Sequence, residues 1–285
     1  MIVPSTDGVQ IAVHDLGGTG PFLLISHATG LHGHCYEPLA SALAGRFHCI
    51  AFDYRGHGDT DRPDGPVDWH RYGDDAEAIV TWLVSRNDGR PIDAFGHSMG
   101  GTCLLMVANR RPGLLRRVVL FEPIVAPAEG LRAREAGGDD PEQNPMVIAA
   151  RRRRATFGSY QLAIDNYSSK PPLSALTPDA LRAYVYHGFS LQVDGVHLKC
   201  RPETEAETFA MAPRHDTWQH LANIDTEVLV VAGRVEEAQP SNIAVAVAER
   251  LPNGRYLQLD QLDHFGPMAQ PALVADVIAE ELSRA

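Results

Sequence analysis

Cysteine is scarce in this chain: 285 residues carry four, Cys35, Cys49, Cys103 and Cys200, and no two stand in CxxC spacing. That excludes a disulfide framework and a thiolate zinc site, and it leaves buried free thiols of a reducing compartment as the expectation. Long apolar runs are missing too, because nothing approaches the roughly 20 residues of a membrane-spanning helix. The first ten residues, MIVPSTDGVQ, have neither a basic start nor an apolar h-region, so the cytoplasm is the expected location. Positive charge is in deficit, with 25 Lys and Arg against 36 Asp and Glu and a formal net charge of −11. Nucleic acid is therefore not an expected partner, since phosphate neutralisation needs a basic surface. The one basic block, Arg151 to Arg154, would spread around a helix rather than form a face, and reads as a solvated or ion-paired surface. There is no Gly-rich phosphate loop, internal repeat or low-complexity tract, and no cofactor is expected. Oligomeric state is not legible.

What the chain does have is alternation. Short apolar runs near Val9–Asp15, Pro21–Ser26, Phe47–Asp53, Ile92–Gly96, Arg117–Phe121, Glu227–Ala232 and Arg255–Leu259 read as strands. Helical patterns at Trp69–Arg86, Thr102–Arg110, Asn242–Arg250 and Pro271–Ser283 separate them. In the first of these, Ala76, Ile79, Val80, Leu83 and Val84 fall on one stripe. This order predicts an α/β fold with a mostly parallel sheet covered on both faces. Residues 126–219 break the rhythm: a polar, Gly-rich stretch from Glu129 to Gln143 precedes short helical segments rich in Tyr and Phe. The expected organisation is a core of residues 1–125 and 220–285 with a helical cap over 126–219.

Chemistry concentrates at Gly96-His97-Ser98-Met99-Gly100, which follows a predicted strand and opens a predicted helix. The pattern G-x-S-x-G in that setting puts Ser98 on a sharp strand-to-helix turn, with glycines where side chains would collide with neighbouring backbone. The Ser98 hydroxyl then stands at the positive end of a helix, and the Met99 N–H faces any oxyanion formed there. With this motif the chain resembles the α/β-hydrolase superfamily, serine-nucleophile type with a helical cap. The segment Asp53-Tyr54-Arg55-Gly56-His57-Gly58-Asp59 resembles a second landmark of that superfamily, where Asp53 and Arg55 would anchor loops.

The resemblance implies an α/β-hydrolase fold and further site residues. In His27-Ala28-Thr29-Gly30, Thr29 would supply the second oxyanion donor beside Met99, although Ala28 stands where Gly is usual and leaves Gly30 as an alternative. His264, in the loop after the last predicted strand, would be the base. The acid has two candidate places. Glu122 ends the strand after the nucleophile helix, where certain haloalkane dehalogenases of this superfamily carry Glu. Glu236, with Glu237 next to it, stands where many relatives carry Asp. Glu122 is preferred, because Glu236 would be a substitution within the commoner arrangement.

The implied reaction is hydrolysis of a small hydrophobic ester or related acyl substrate through an acyl-enzyme. Carbon–carbon hydrolases, thioesterases, lactonases and perhydrolases share these parts, and a non-catalytic binding protein is the rival of another class. No metal is expected from His27, His32, His34 and His57: the resemblance gives His27 and His57 structural roles, and no nearby Asp, Glu or Cys completes a convincing ligand set.

Overall fold

The computed structural model describes residues 1–127, 143–236 and 239–284. Its central sheet has eight strands: β1 Ile2–Pro4, β2 Gln10–Gly18, β3 Phe22–Ser26, β4 His48–Phe52, β5 Ile92–His97, β6 Leu115–Phe121, β10 Glu227–Ala232 and β11 Gly254–Gln258. They lie in the order β1-β2-β4-β3-β5-β6-β10-β11. The β1–β2 and β2–β4 pairs are antiparallel, and every later pair is parallel. All seven expected strands are present within one to three residues; β1 is additional.

The parallel strands are buried on both faces, which is why they read as nearly unbroken apolar runs such as Phe22-Leu23-Leu24-Ile25. Alternate residues leave on opposite faces. Leu24, Ile50, Val118 and Val230 pack under α2 (Trp69–Arg86), α3 (Met99–Arg110) and α9 (Ser241–Arg250). Leu23, Ile25, Val119 and Val231 pack under α1 (Glu37–Leu43) and α11 (Pro271–Leu282), which follows the short α10 (Gly266–Ala269).

Between β6 and β10 the chain leaves the sheet. Its described part holds α4 (Pro145–Arg151), α5 (Tyr160–Ser168), α6 (Pro178–Gly188), α7 (Pro202–Met211) and α8 (Thr217–His220). It also holds a small antiparallel sheet of β7 (Thr156–Phe157), β9 (Gly195–Leu198) and β8 (Phe189–Gln192), which the reading of short helical segments did not include. Phe157, Tyr167, Tyr184 and Phe189 join the core layer that contains α1 and α11, so the insertion is packed onto the sheet unit. Residues 129–142 of the polar stretch lie outside the described residues.

The arginine run departs from its expected surface role. α4 ends at Arg151, and Arg153 turns inward. Its Nη1 donates to both Glu205 oxygens at 2.7 and 2.6 Å, and Nη2 donates to the Tyr184 hydroxyl. Burial would push a lone guanidinium towards neutrality, but Tyr184 and Glu205 beside it hold its pKa well above the ordinary value. The reason is steric as well as electrostatic: the Tyr167 and Tyr184 rings, 5.6 and 5.5 Å away, form a slot that a planar cation fills. The four cysteines are buried and unpaired.

Candidate active site

The chain runs from β3 outward to β4, then crosses back over β3 to β5 on its other side. In open α/β sheets the crevice at such a reversal, beyond the carboxyl ends of the strands, is where ligands bind. The loop after β3 carries Thr29, and the turn after β5 carries Ser98.

Ser98 sits at φ 55° and ψ −119°, a strained backbone for a residue with a side chain. Two close approaches hold it. A Cβ on Gly100 would stand 2.3 Å from the Ser26 carbonyl oxygen, and one on Gly96 would stand 2.6 Å from the Gly101 Cα. The Ser98 N–H donates to the Phe121 carbonyl at 2.9 Å, tying the turn to the end of β6. Glu122 follows directly and also has positive φ, 48°. Among described residues only four besides glycine do so, and two of them are Ser98 and Glu122.

That turn aims the Glu122 carboxylate, which is 1% exposed, between two donors. Oε1 accepts from the Gly233 N–H at 2.8 Å, and Oε2 stands 2.6 Å from His264 Nδ1. The structure therefore brings Glu122 and His264 together. Glu236 is exposed and pairs with Arg234 at 3.0 Å; Glu237 lies outside the described residues. Asp263 caps its own loop by accepting from the Phe265 N–H at 2.8 Å.

Thr29 and Met99 also meet, with Thr29 Oγ1 3.5 Å from the Met99 sulfur. Among the described residues neither N–H has a backbone acceptor outside regular helices and strands. Gly30 has φ 74°, and a Cβ there would stand 2.3 Å from Glu205 Oε1. The buried Arg153–Glu205 pair of the insertion thus leans on the Thr29–Gly30 loop itself.

Sequence reasoning missed the residues that link these parts. The Ala28 N–H donates to the Tyr36 hydroxyl at 3.2 Å, and that oxygen lies 2.7 Å from His97 Nδ1. His97 Nε2 lies 2.8 Å from the His264 carbonyl oxygen, which accepts but cannot donate. One proton arrangement satisfies all three contacts: Tyr36 donates to Nδ1, and Nε2–H donates to the His264 carbonyl. Burial, with the neighbouring His264 adding to it, keeps His97 neutral far below its ordinary range, which preserves this tautomer. This hydrogen-bond chain joins the Ala28 loop to the His264 loop across the Ser98 turn. His97 had a signal, its place inside the elbow motif; Tyr36 had none. Tyr36→Phe would strand two buried polar groups, so it is expected to lower unfolding free energy by about 2 kcal/mol in urea titrations. It should also reduce kcat, because both loops lose their common support.

The landmark after β4 holds loops. The Asp53 carboxylate accepts from the Gly33 and Asp59 N–H groups at 2.7 and 2.8 Å and meets His14 Nε2 at 2.8 Å. Arg55 donates to Asp75 and Asp7. Beside this landmark a cleft of about 830 Å³ opens, lined by charged groups including Arg62, Arg151, Lys199 and Arg201. Its lining is polar, and Ser98, Glu122 and His264 are not part of it.

The sequence profile of the Alpha/beta hydrolase family matches residues 22–277. The chain belongs to that family. It is 28% identical over 268 residues to 2-(acetamidomethylene)succinate hydrolase of Mesorhizobium japonicum, covering 92% of this chain and 87% of that protein. It is 25% identical over 263 residues to a putative non-heme bromoperoxidase of Mycobacterium tuberculosis, covering 92% and 93% of the two chains. The solved structure of an E-2-(acetamidomethylene)succinate hydrolase superposes with a TM-score of 0.79 at 23% identity, covering 100% of this chain and 99% of the other. That last likeness is one of fold. As an α/β-hydrolase family member with hydrolase relatives, the chain is a hydrolase. No described helix is long and apolar enough to cross a membrane.

Proposed function

We propose that this hydrolase cleaves a carboxylic ester or related acyl substrate through a Ser98–His264–Glu122 triad. The observation that carries the reading is the 2.6 Å contact between Glu122 Oε2 and His264 Nδ1, on a loop tied through His97 to the Ser98 turn. A carboxylate on Nδ1 fixes that nitrogen as the donor and leaves Nε2 free to take the Ser98 proton. Ser98 Oγ attacks the carbonyl carbon, and the resulting oxyanion is received by the Met99 and Thr29 N–H groups. The imidazolium then protonates the leaving group, and water deprotonated by His264 releases the acid and restores Ser98. Residues 126–219 would be the cap that bounds the substrate site, given how Arg153 and Glu205 lean on Gly30.

The deciding measurement pairs hydrolysis of a chain-length series of p-nitrophenyl esters with labelling by a serine-directed organophosphonate. Turnover together with one label per chain on Ser98, absent from Ser98→Ala, is the expected result. A chain that neither turns over esters nor takes the label would overturn the proposed Ser98 acyl-enzyme chemistry.

A further inference from the structure

The insertion meets the sheet unit at a group of histidines distant in sequence. His34 lies in the turn Gly33–Tyr36 that follows the oxyanion loop, Glu37 opens α1, and His187 lies in the last turn of α6. Glu37 Oε1 is 2.6 Å from His34 Nδ1 and 3.7 Å from His187 Nε2. The His34 and His187 rings are stacked, with centres 3.8 Å apart and planes at 13°. One donor atom from each of the three residues lies within 4.8 Å of the others. Neither histidine has a role in the proposed triad.

We infer that His34, Glu37 and His187 form a binding site for a first-row divalent cation, zinc by preference, that clamps the insertion to the sheet unit. Two imidazoles and a carboxylate make a donor set suited to zinc, with a fourth position left to water. Tetrahedral zinc with ligands near 2.0 Å separates neighbouring donors by about 3.3 Å. The two distances to Glu37 bracket that value, so the His34 gap must widen by about 0.7 Å, the His187 gap must narrow by about 0.4 Å, and the stacked rings must turn until both nitrogens aim at one ion. These adjustments are open to side chains that are 20%, 41% and 41% exposed for His34, His187 and Glu37. A surface cleft of about 560 Å³ lined by Glu37 and His187 gives an ion access from solvent.

The clamp would act where the two units already touch. His32 Nε2 donates to the Tyr184 carbonyl at 3.1 Å, one turn before His187 on α6. An ion at His34 and His187 would therefore hold α6 against the segment that continues from the oxyanion loop. The sequence hides this arrangement, because His187 lies 150 residues beyond Glu37.

The test uses tag-free full-length protein stripped with a chelator and titrated calorimetrically with ZnCl2, with Tm followed in parallel. One ion per chain and a rise in Tm are expected. Ser98→Ala should behave as wild type, since the site is separate from the triad. His187→Ala and Glu37→Gln should each weaken binding by more than the roughly 10–100-fold that loss of a mere outer partner costs. They should also abolish the zinc-dependent rise in Tm while leaving the metal-free Tm close to wild type. Absence of binding in the wild type, or zinc affinity unchanged in both variants, would overturn the site. Loss of binding in Ser98→Ala would place the ion at the triad instead.

Discussion

Glu122→Gln is expected to lower kcat by about 10⁴-fold, the scale on which loss of a triad carboxylate acts in serine hydrolases, while the protein stays folded. The geometry explains why so small a change costs so much. The Gln oxygen can replace Oε1 and keep the Gly233 N–H satisfied. The other arm then presents an amide N–H to His264 Nδ1, where a carboxylate oxygen stood 2.6 Å away. Nδ1 must accept instead of donate, so the ring proton moves to Nε2, the nitrogen that receives the Ser98 proton in the proposed mechanism. The base is still present, in the wrong tautomer. Stability should change little, because shape and hydrogen-bond number are retained. The matching control is Glu236→Gln, expected to be near neutral, since that side chain is exposed and paired with Arg234. Pre-steady-state and steady-state turnover of both variants on one ester decides the matter. Near-normal turnover in Glu122→Gln would move the acid to Glu236 or Glu237.

The choice between these glutamates shows where sequence reading stops. The strands and long helices were legible because burial on both faces leaves continuous apolar runs, and α2 occupies Trp69–Arg86 as its apolar stripe indicates. The elbow was legible because a serine at φ 55° needs small neighbours at defined offsets. Which carboxylate reaches His264 is set by the direction of the Glu122 side chain, and that follows from a positive φ that no local pattern announces. The antiparallel β7–β9–β8 sheet was invisible because its strands are two to four residues long. Arg153 was misread for a related reason: its sequence neighbours are three arginines, but its partners Tyr184 and Glu205 come 31 and 52 residues later. Periodicity reports one face of one element, whereas a buried ion pair is a property of two elements.

The same buried polar groups predict a steep acid limit to stability. His27, His32, His97 and His215 are each 6% exposed or less. Burial, the largest influence on each, lowers His27 to about 3, His32 and His215 to about 4, and His97 well below the ordinary value. In the unfolded chain all four titrate near 6.5. The folded state therefore binds fewer protons than the unfolded state throughout the interval below 6.5, and stability falls as pH falls. Stabilisation from these groups is complete above about pH 7 and is lost progressively down to the folded values. At pH 5.5 each costs about 1.3 kcal/mol relative to pH 7, so four together cost about 5 kcal/mol. That is comparable to the whole stability of many domains. Asp93, whose carboxyl is raised by burial, works in the opposite direction, but it is a single group. Urea midpoints followed by circular dichroism should accordingly fall steeply between pH 6.5 and pH 5, the interval set by these shifts. His215→Gln retains an N–H for the Ile124 carbonyl that His215 now bonds at 2.9 Å, and should flatten the profile by about a quarter. A urea midpoint that stays level to pH 5 would mean the buried imidazoles accept protons in place, and the neutral His97 tautomer that links the oxyanion loop to His264 would have to be abandoned with them.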